Sequence, residues 1–381
     1  MIKKAIQNSL RNLGTVQDAT RVSNFRVLAS LLSPALRGFI LQKGKGTLAT
    51  ELPSNVTTHF NWEYGSDQAE LAKLYSKAKK SQWNAETDID WSVEVDPESP
   101  SAELVNEAIN PLSDMRPYRR LPPKEQRKHR AAMMSWMLSQ FLHGEQGALY
   151  AACHVTSSVQ WMDGKLYGAS QVVDEGRHVE VFQRYLIDKL GKVYEINDNL
   201  YVILDALMTD SRWDIKFLGM QIMVEGLALG AFGVIRHNTQ EPLLKELLRY
   251  VITDEARHVH YGVVALESYY TSGLPEHELR EREDWAFEMS VLLRNRFLAH
   301  EFYDEYYGHA LSRKEWERTL LNSDFMREFR FSMFRRIIPN LKRINLLSER
   351  IRPHYGKLGL LEWERQKAAP ELSVDELLAP A

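Results

Sequence analysis

Apolar residues recur at three- and four-residue spacing along most of this chain, while strand-like alternation is nearly absent, so the pattern predicts an all-α protein. Residues 67–82 form one amphipathic stretch, followed by a loop rich in Asp, Glu, Ser and Pro. Prolines 111, 117, 122 and 123 mark a second irregular stretch. Four long helical patterns follow, over residues 124–160, 164–190, 212–238 and 240–272. Asp163-Gly164 reads as the break inside the first pair. His237-Asn238-Thr239 reads as the break inside the second, with Thr239 as N-cap ahead of Pro242. Ser211 with Asp214 matches a capping box opening the third helix. Residues 191–211 are too many for a tight turn and predict a crossover carrying its own short helix. Beyond 275 the pattern stays helical, and the last fifteen residues read as a loose tail.

The third pattern contains Phe217 to Ile235, which approaches a membrane span in length and apolarity but has Glu225 at its middle. A carboxylate there is costly in lipid unless paired or functional. With no second comparable segment, the helix reads as the centre of a large core, and no membrane span is expected. Composition agrees. The net charge of -3 excludes a chain that is basic overall, and no nucleic-acid partner is expected. A single cysteine, Cys153, excludes a disulfide framework and a thiolate zinc cluster and suits a reducing, cytoplasmic setting. The first 45 residues hold eight Lys/Arg against one acid, Asp18. That composition is similar to a transit peptide, but a basic surface arm is the reading adopted. The expected organisation is an N-terminal helical extension over 1–120, a bundle over 121–275 and a C-terminal helical extension over 276–381.

One internal repeat organises the chemistry. At an offset of 80 residues, VDEGRHV at 173–179 aligns with TDEARHV at 253–259, and Glu145 aligns with Glu225. Glu175 and His178 stand three apart, as do Glu255 and His258, so each pair projects from one helix face. From Glu145 to the first turn and back to Glu175 the helix arms run ~25 and ~18 Å, and both arms between Glu225 and Glu255 run ~21–22 Å. Within each hairpin the carboxylates therefore land at similar depth. Side by side, the hairpins bring four glutamates and two histidines into one bundle. Buried carboxylates protonate, pair or bind metal. Four negative charges match two divalent cations, and one Glu from each of two helices with Glu-x-x-His from the other two is a di-iron or di-manganese ligand set. Mixed oxygen and nitrogen ligation suits Fe(II) or Mn(II). Asp174 and Asp254 precede the motif glutamates and are expected to orient the imidazoles across the bundle, Asp174 to His258 and Asp254 to His178.

The doubled DE-x-RH motif with its two leading glutamates resembles the ferritin-like di-iron carboxylate oxidoreductases over about residues 124–272. That superfamily includes monooxygenase hydroxylases, acyl-carrier-protein desaturases, arylamine N-oxygenases and ribonucleotide reductase small subunits. The resemblance implies a ferritin-like four-helix bundle with extra N- and C-terminal helices. Glu145, Glu175, His178, Glu225, Glu255 and His258 would be the ligands of two iron ions, Fe/Fe or alternatively Mn/Fe. It further implies O2 as co-substrate, a small or carrier-bound organic substrate that is hydroxylated or N-oxygenated, and a reductase or ferredoxin as electron donor. A homodimer is compatible with it. Acyl desaturation, a radical-bearing redox subunit and iron storage stand as alternatives.

Departures sharpen the picture. Reductase small subunits usually carry a tyrosine four residues after the first motif histidine, where this chain has Phe182, which argues against a stable tyrosyl radical. The segment beginning Trp83-Asn-Ala-Glu resembles their Trp-containing segment and implies Trp83 as an electron relay through Asp254 and His178, with simple packing as the alternative. Val251 stands where N-oxygenases carry a seventh ligand, and Leu229 where hydroxylases carry a threonine. His143 reads as structural and His260 as facing outward. Gly226 and Gly230 suggest either close helix packing or space beside the metals, and Met134, Met137, Met220 and Met223 read as core. The segment 327–357, with nine Lys/Arg and two acids, reads as a solvated face or a docking surface for an acidic partner.

Overall fold

The computed structural model describes residues 8, 11–12, 21–99, 104 and 110–378, and among these there is no strand, so the protein is all-α. Most of the basic segment before residue 21 lies outside the described residues. The described part is no free arm. Asn24 caps α1 (Phe25–Ala35), Arg37 is clamped by Asp205 at 2.6 and 2.5 Å, and Lys45 lies between Asp198 and Glu301 at 3.1 and 2.6 Å.

Ten of the further helices among the described residues frame the core. Helix α2 (Ala69–Lys80) leads into the Trp83 loop. The bundle is α3 (Pro123–Ser158), α4 (Met162–Arg184), α6 (Trp213–Asn238) and α7 (Pro242–Ser268), with the crossover helix α5 (Asp198–Thr209) between the pairs. Outside it lie α8 (Glu276–Asn295), α9 (His300–Tyr306), α10 (Arg313–Asn322) and α11 (Asp324–Phe334). Helices α3 and α4 pack as one hairpin and α6 and α7 as the other; α4 touches α7, and α3 touches the first half of α6, ahead of Glu225. Helix α2 crosses the outside of α4 and α7, while α11 covers α6.

Helix α6 is apolar enough to cross a membrane, with a mean hydropathy of 1.7, yet 89% of that stretch is buried inside the protein. It is the central core helix. Its stretch Leu218–Val224 widens into π-helical turns immediately before Glu225. Such an insertion rotates the following residue relative to the preceding turns, and widened turns of this kind are frequent at functional sites.

Several local expectations are corrected by tertiary partners. The first hairpin turns at Val159–Trp161, because Asp163 is already helical and spends its carboxylate on the start of α2. Asp163 Oδ2 accepts the Ser66 hydroxyl and the Asp67 and Gln68 amides at 2.9, 3.1 and 2.9 Å. Glu241, and not Thr239, caps α7, accepting the Leu243 and Leu244 amides at 2.8 and 2.7 Å. Ser211 and Asp214 form no capping box, since Asp214 instead receives Arg282 at 2.8 Å and the Tyr270 hydroxyl at 3.0 Å. The C-terminal segment is not a loose tail, because Ala369–Glu371 and Val374–Leu378 form helical turns on α7.

The structure also separates the roles of Gly226 and Gly230 on α6. A Cβ on Gly230 would lie 2.7 Å from Met333 Cα and 2.8 Å from the Ser332 carbonyl, so this glycine lets the α11 backbone approach. A Cβ on Gly226 would make only ordinary contacts at 3.5 Å and beyond, whereas Gly233 faces open space. Gly230→Ala is therefore expected to destabilise the protein by about 1–3 kcal/mol through overpacking. Gly233→Ala should be neutral or stabilising by up to about 1 kcal/mol through helix propensity. Urea unfolding of both variants checks this, and equal effects would contradict the packing role of Gly230.

Candidate metal centre

The repeat places its residues face to face. Glu145 projects from α3, Glu175 and His178 from α4, Glu225 from α6, and Glu255 and His258 from α7. All six are buried, at 4% exposure or less. Ligand-type atoms of Glu145, Glu175, His178 and Glu255 lie within 4.8 Å of one another, and those of Glu175, Glu225 and His258 do likewise. Two adjoining pockets result, sharing Glu175.

Both imidazoles turn Nδ1 inward. His178 Nδ1 is 3.2 Å from Glu145, 3.4 Å from Glu175 Oε2 and 3.2 Å from Glu255 Oε1. His258 Nδ1 is 3.1 Å from Glu175 Oε1 and 3.7 Å from Glu255 Oε2. Glu175 and Glu255 thus offer one oxygen toward each histidine, the disposition of bridging carboxylates, whereas Glu145 and Glu225 each belong to one pocket.

The outward nitrogens meet the two aspartates in the crossed pattern. His258 Nε2 lies 3.2 Å from Asp174 Oδ2, and His178 Nε2 lies 3.3 Å from Asp254 Oδ2. An Nε2–H donated to a carboxylate leaves the Nδ1 lone pair facing inward, the tautomer a metal requires.

Outside the aspartates lies a second ring whose partners the motif left unassigned. Arg177 bonds Asp174 at 2.5 Å and reaches Asp254 at 3.3 Å. Arg257 bonds Asp254 and reaches Asp174 at 3.3 Å. Gln82 donates to Asp174 at 3.0 Å, and the Trp83 indole donates to Asp254 at 2.8 Å. Two arginines balance two aspartates, so this layer is neutral. The inner layer, with neutral imidazoles, carries four negative charges.

Gln171 is the residue sequence reasoning missed. Its Nε2 donates to Glu175 at 3.1 Å and to Glu225 at 2.9 Å, and its Oε1 faces Gln221 Nε2 at 3.4 Å. A signal for it existed. Gln171 and Gln221 each stand four residues before a motif or leading glutamate, on the same helix face. Other expected positions fall elsewhere: His143 Nε2 donates to the Tyr194 carbonyl at 2.8 Å, and His260 is half-buried on α7, beside Leu74 and Lys77 of α2. Phe182 packs on Phe232 and Phe141, with ring centres 5.6 and 6.4 Å apart. Val251 and Leu229 are buried and apolar.

The protonation balance shows what the cluster lacks. Burial drives the Glu145 and Glu225 carboxyls well above their ordinary range, with Glu255 and Glu175 respectively adding repulsion. Burial also works against the imidazolium of His178 and His258, but the surrounding carboxylates outweigh it and raise both. Even so, Glu175 Oε2, Glu225 Oε2, both oxygens of Glu255 and His258 Nδ1 are buried without a hydrogen bond. Orphaned lone pairs on so many converging atoms cost about 1–3 kcal/mol each. They fit a pair of divalent metal ions, which would take up these atoms and cancel the four charges.

Neither a family model nor a curated protein matches the chain. Solved structures do. The chain is similar in fold to R2-like ligand-binding oxidase structures. One, of a variant with anaerobically reconstituted Mn/Fe cofactor, is 18% identical, with a TM-score of 0.42 over 72% of this chain and 93% of that one. Another, with aerobically reconstituted metal cofactor after photoconversion, is 17% identical, with a TM-score of 0.43 over 72% and 92%.

The crossed pairing predicts an asymmetric response. Asp174→Asn should weaken metal binding in the pocket of His258, and Asp254→Asn in that of His178, each about 10–100-fold. Anaerobic titration with Mn(II), followed by electron paramagnetic resonance, measures both pockets; unchanged affinity in both variants would confine the aspartates to the arginine ring.

Proposed function

We propose that this chain is an O2-dependent oxidoreductase with a dimetal centre, acting on a small or carrier-bound organic substrate by hydroxylation or N-oxygenation. The observation that carries the reading is the set of orphaned, converging ligand atoms buried in an apolar bundle. Glu145, Glu175, His178 and Glu255 would hold one ion. Glu225 and His258 would hold the other, together with Glu175 and Glu255. Two irons, or one manganese and one iron, would supply the redox chemistry that no side chain provides.

The chain's own residues prepare that chemistry. Gln171 holds Glu175 and Glu225 by neutral donors and leaves each a free oxygen. The Asp–Arg ring fixes both imidazole orientations. Phe141, Phe182 and Phe232 lie one or two turns from Glu145, His178 and Glu225 and keep that side dry. No tyrosine occupies the Phe182 position, which weighs against a radical-storing subunit.

Electrons enter, in this reading, at Trp83. Its indole bonds Asp254, which meets His178, and on its outer face it stacks on Tyr250 with ring centres 4.9 Å apart. Arg177 and Arg249 lie over these two rings at 4.9 and 4.2 Å. The electron donor is proposed to meet this face. The 327–357 segment is a weaker candidate, since Arg343, Arg350 and Arg352 are engaged by Glu267, Glu283, Asp284 and Glu364.

Metal analysis should find two ions per chain, with the pair lost in Glu175→Ala and His258→Ala. The Fe(II)-loaded protein should consume O2 with a transient optical change, and Trp83→Phe should slow re-reduction at least tenfold without altering metal content. Two tightly held ions in both ligand variants would sink the site. Iron oxidation with no intermediate and no turnover would favour storage, and unslowed re-reduction would return Trp83 to packing.

A further inference from the structure

Three arginines are buried to 3% exposure or less among the described residues: Arg257, Arg282 and Arg296. Two are paired, Arg257 with Asp254 and Asp174 and Arg282 with Asp214 at 2.8 Å. Arg296 is not. Among the described residues no carboxylate lies within ion-pair distance of its guanidinium, and its Nε has no hydrogen-bond partner. It follows α8 in the single turn Arg296–Leu298, ahead of Ala299 in the left-handed region, at φ 48°. The guanidinium carbon lies 5.8 Å from the Phe141 ring centre and 5.1 Å from that of Phe297. Glu145 is the acid whose charge it feels.

A buried guanidinium without an anion is costly, and buried charges are ordinarily paired. Cation–π contact with two phenyl rings offsets only part of that cost. The stranded charge sits beside the candidate centre: Phe141 is one turn before Glu145 on α3, so Arg296 borders the pocket of Glu145 and His178. We propose that Arg296 receives the carboxylate of a substrate with an apolar body, bound in the bundle beside Glu145; this rests on the dimetal reading above.

Three features select that class. The planar fork of arginine matches a carboxylate with two parallel hydrogen bonds. One unpaired positive charge neutralises one negative charge, whereas a phosphate dianion would leave a second charge uncompensated among phenyl rings. The neighbouring walls are apolar and adaptable. A narrow cleft lined mostly by apolar residues, among them Met133, Met137 and Phe329, and also by Asn110 and Arg130, reaches along α3 to one turn from Phe141, and Phe329 packs edge-on against Phe297 at 5.2 Å. Methionines reshape readily around an inserted group, which suits a cleft that opens to admit the body of the substrate.

The test compares benzoate and hexanoate with benzamide and hexanamide, matched in shape but uncharged, by calorimetric titration and thermal shift on the isolated protein, its metal content measured. Both carboxylates should bind and raise the melting temperature, the amides at least tenfold more weakly. Arg296→Gln should lose at least tenfold in carboxylate affinity and Arg296→Lys less. Equal binding of acids and amides by the unaltered protein would overturn the proposal whether or not the variants fold. Undiminished carboxylate binding by a folded Arg296→Gln would overturn it too, placing the anion on the metals. Charge-selective, Arg296-dependent binding by protein that holds no metal pair would support the carboxylate site while refuting the dimetal reading.

Discussion

Four carboxylates in the centre of an apolar bundle are the constraint on which this structure turns. Each carries an effective desolvation penalty of several kcal/mol when buried as an ion. The chain offers the inner layer the neutral amide donor of Gln171, and two histidine Nδ1 atoms face the carboxylates. With all four carboxylates ionised and both imidazoles neutral, that would leave an inner charge of minus four, and it leaves oxygens and a nitrogen unsatisfied. Every other feature near the site either keeps this cluster dry or holds its members in position.

Charge is graded outward from that centre. The layer of Asp174, Asp254, Arg177 and Arg257 is neutral and crosslinked, each arginine reaching its own aspartate and that of the other repeat. Because the arginines absorb the aspartate charge, the aspartates can orient the imidazoles without adding to the inner excess. Gln82 and Trp83 close the ring from α2, so a segment far from the bundle in sequence completes the site. Arg296, the one arginine of the three most buried among the described residues to lack a carboxylate partner, lies on the opposite, phenylalanine-lined side. The centre is thus polar and crosslinked toward Trp83 and apolar toward the cleft, which would keep the proposed electron path apart from the proposed substrate space.

The additions around the bundle do structural work of the same kind. Asp163 caps α2 from the first turn of α4, fixing the helix that delivers Gln82 and Trp83. Gly230 admits the α11 backbone against α6, and the π-helical turns before Glu225 set the direction of that side chain. An apolar helix with a carboxylate at its midpoint is tolerable only inside such an enclosure.

Much of this was legible in the sequence because repetition and helical period act locally. The offset of 80 residues, the three-residue Glu–His spacing and the similar arm lengths determine that four glutamates and two histidines share a depth, whatever surrounds them. Even the crossed Asp–His pairing follows from placing two equal motifs face to face. Tertiary structure decided what local signals cannot encode. Thr239, Ser211 and Asp163 carry capping chemistry, but which amide each carboxylate or hydroxyl reaches depends on neighbours distant in the chain. Likewise nothing in the sequence marks Arg296 among the other basic residues. Its isolation becomes visible only when the bundle closes around it, because a charge is stranded by what fails to lie beside it in space.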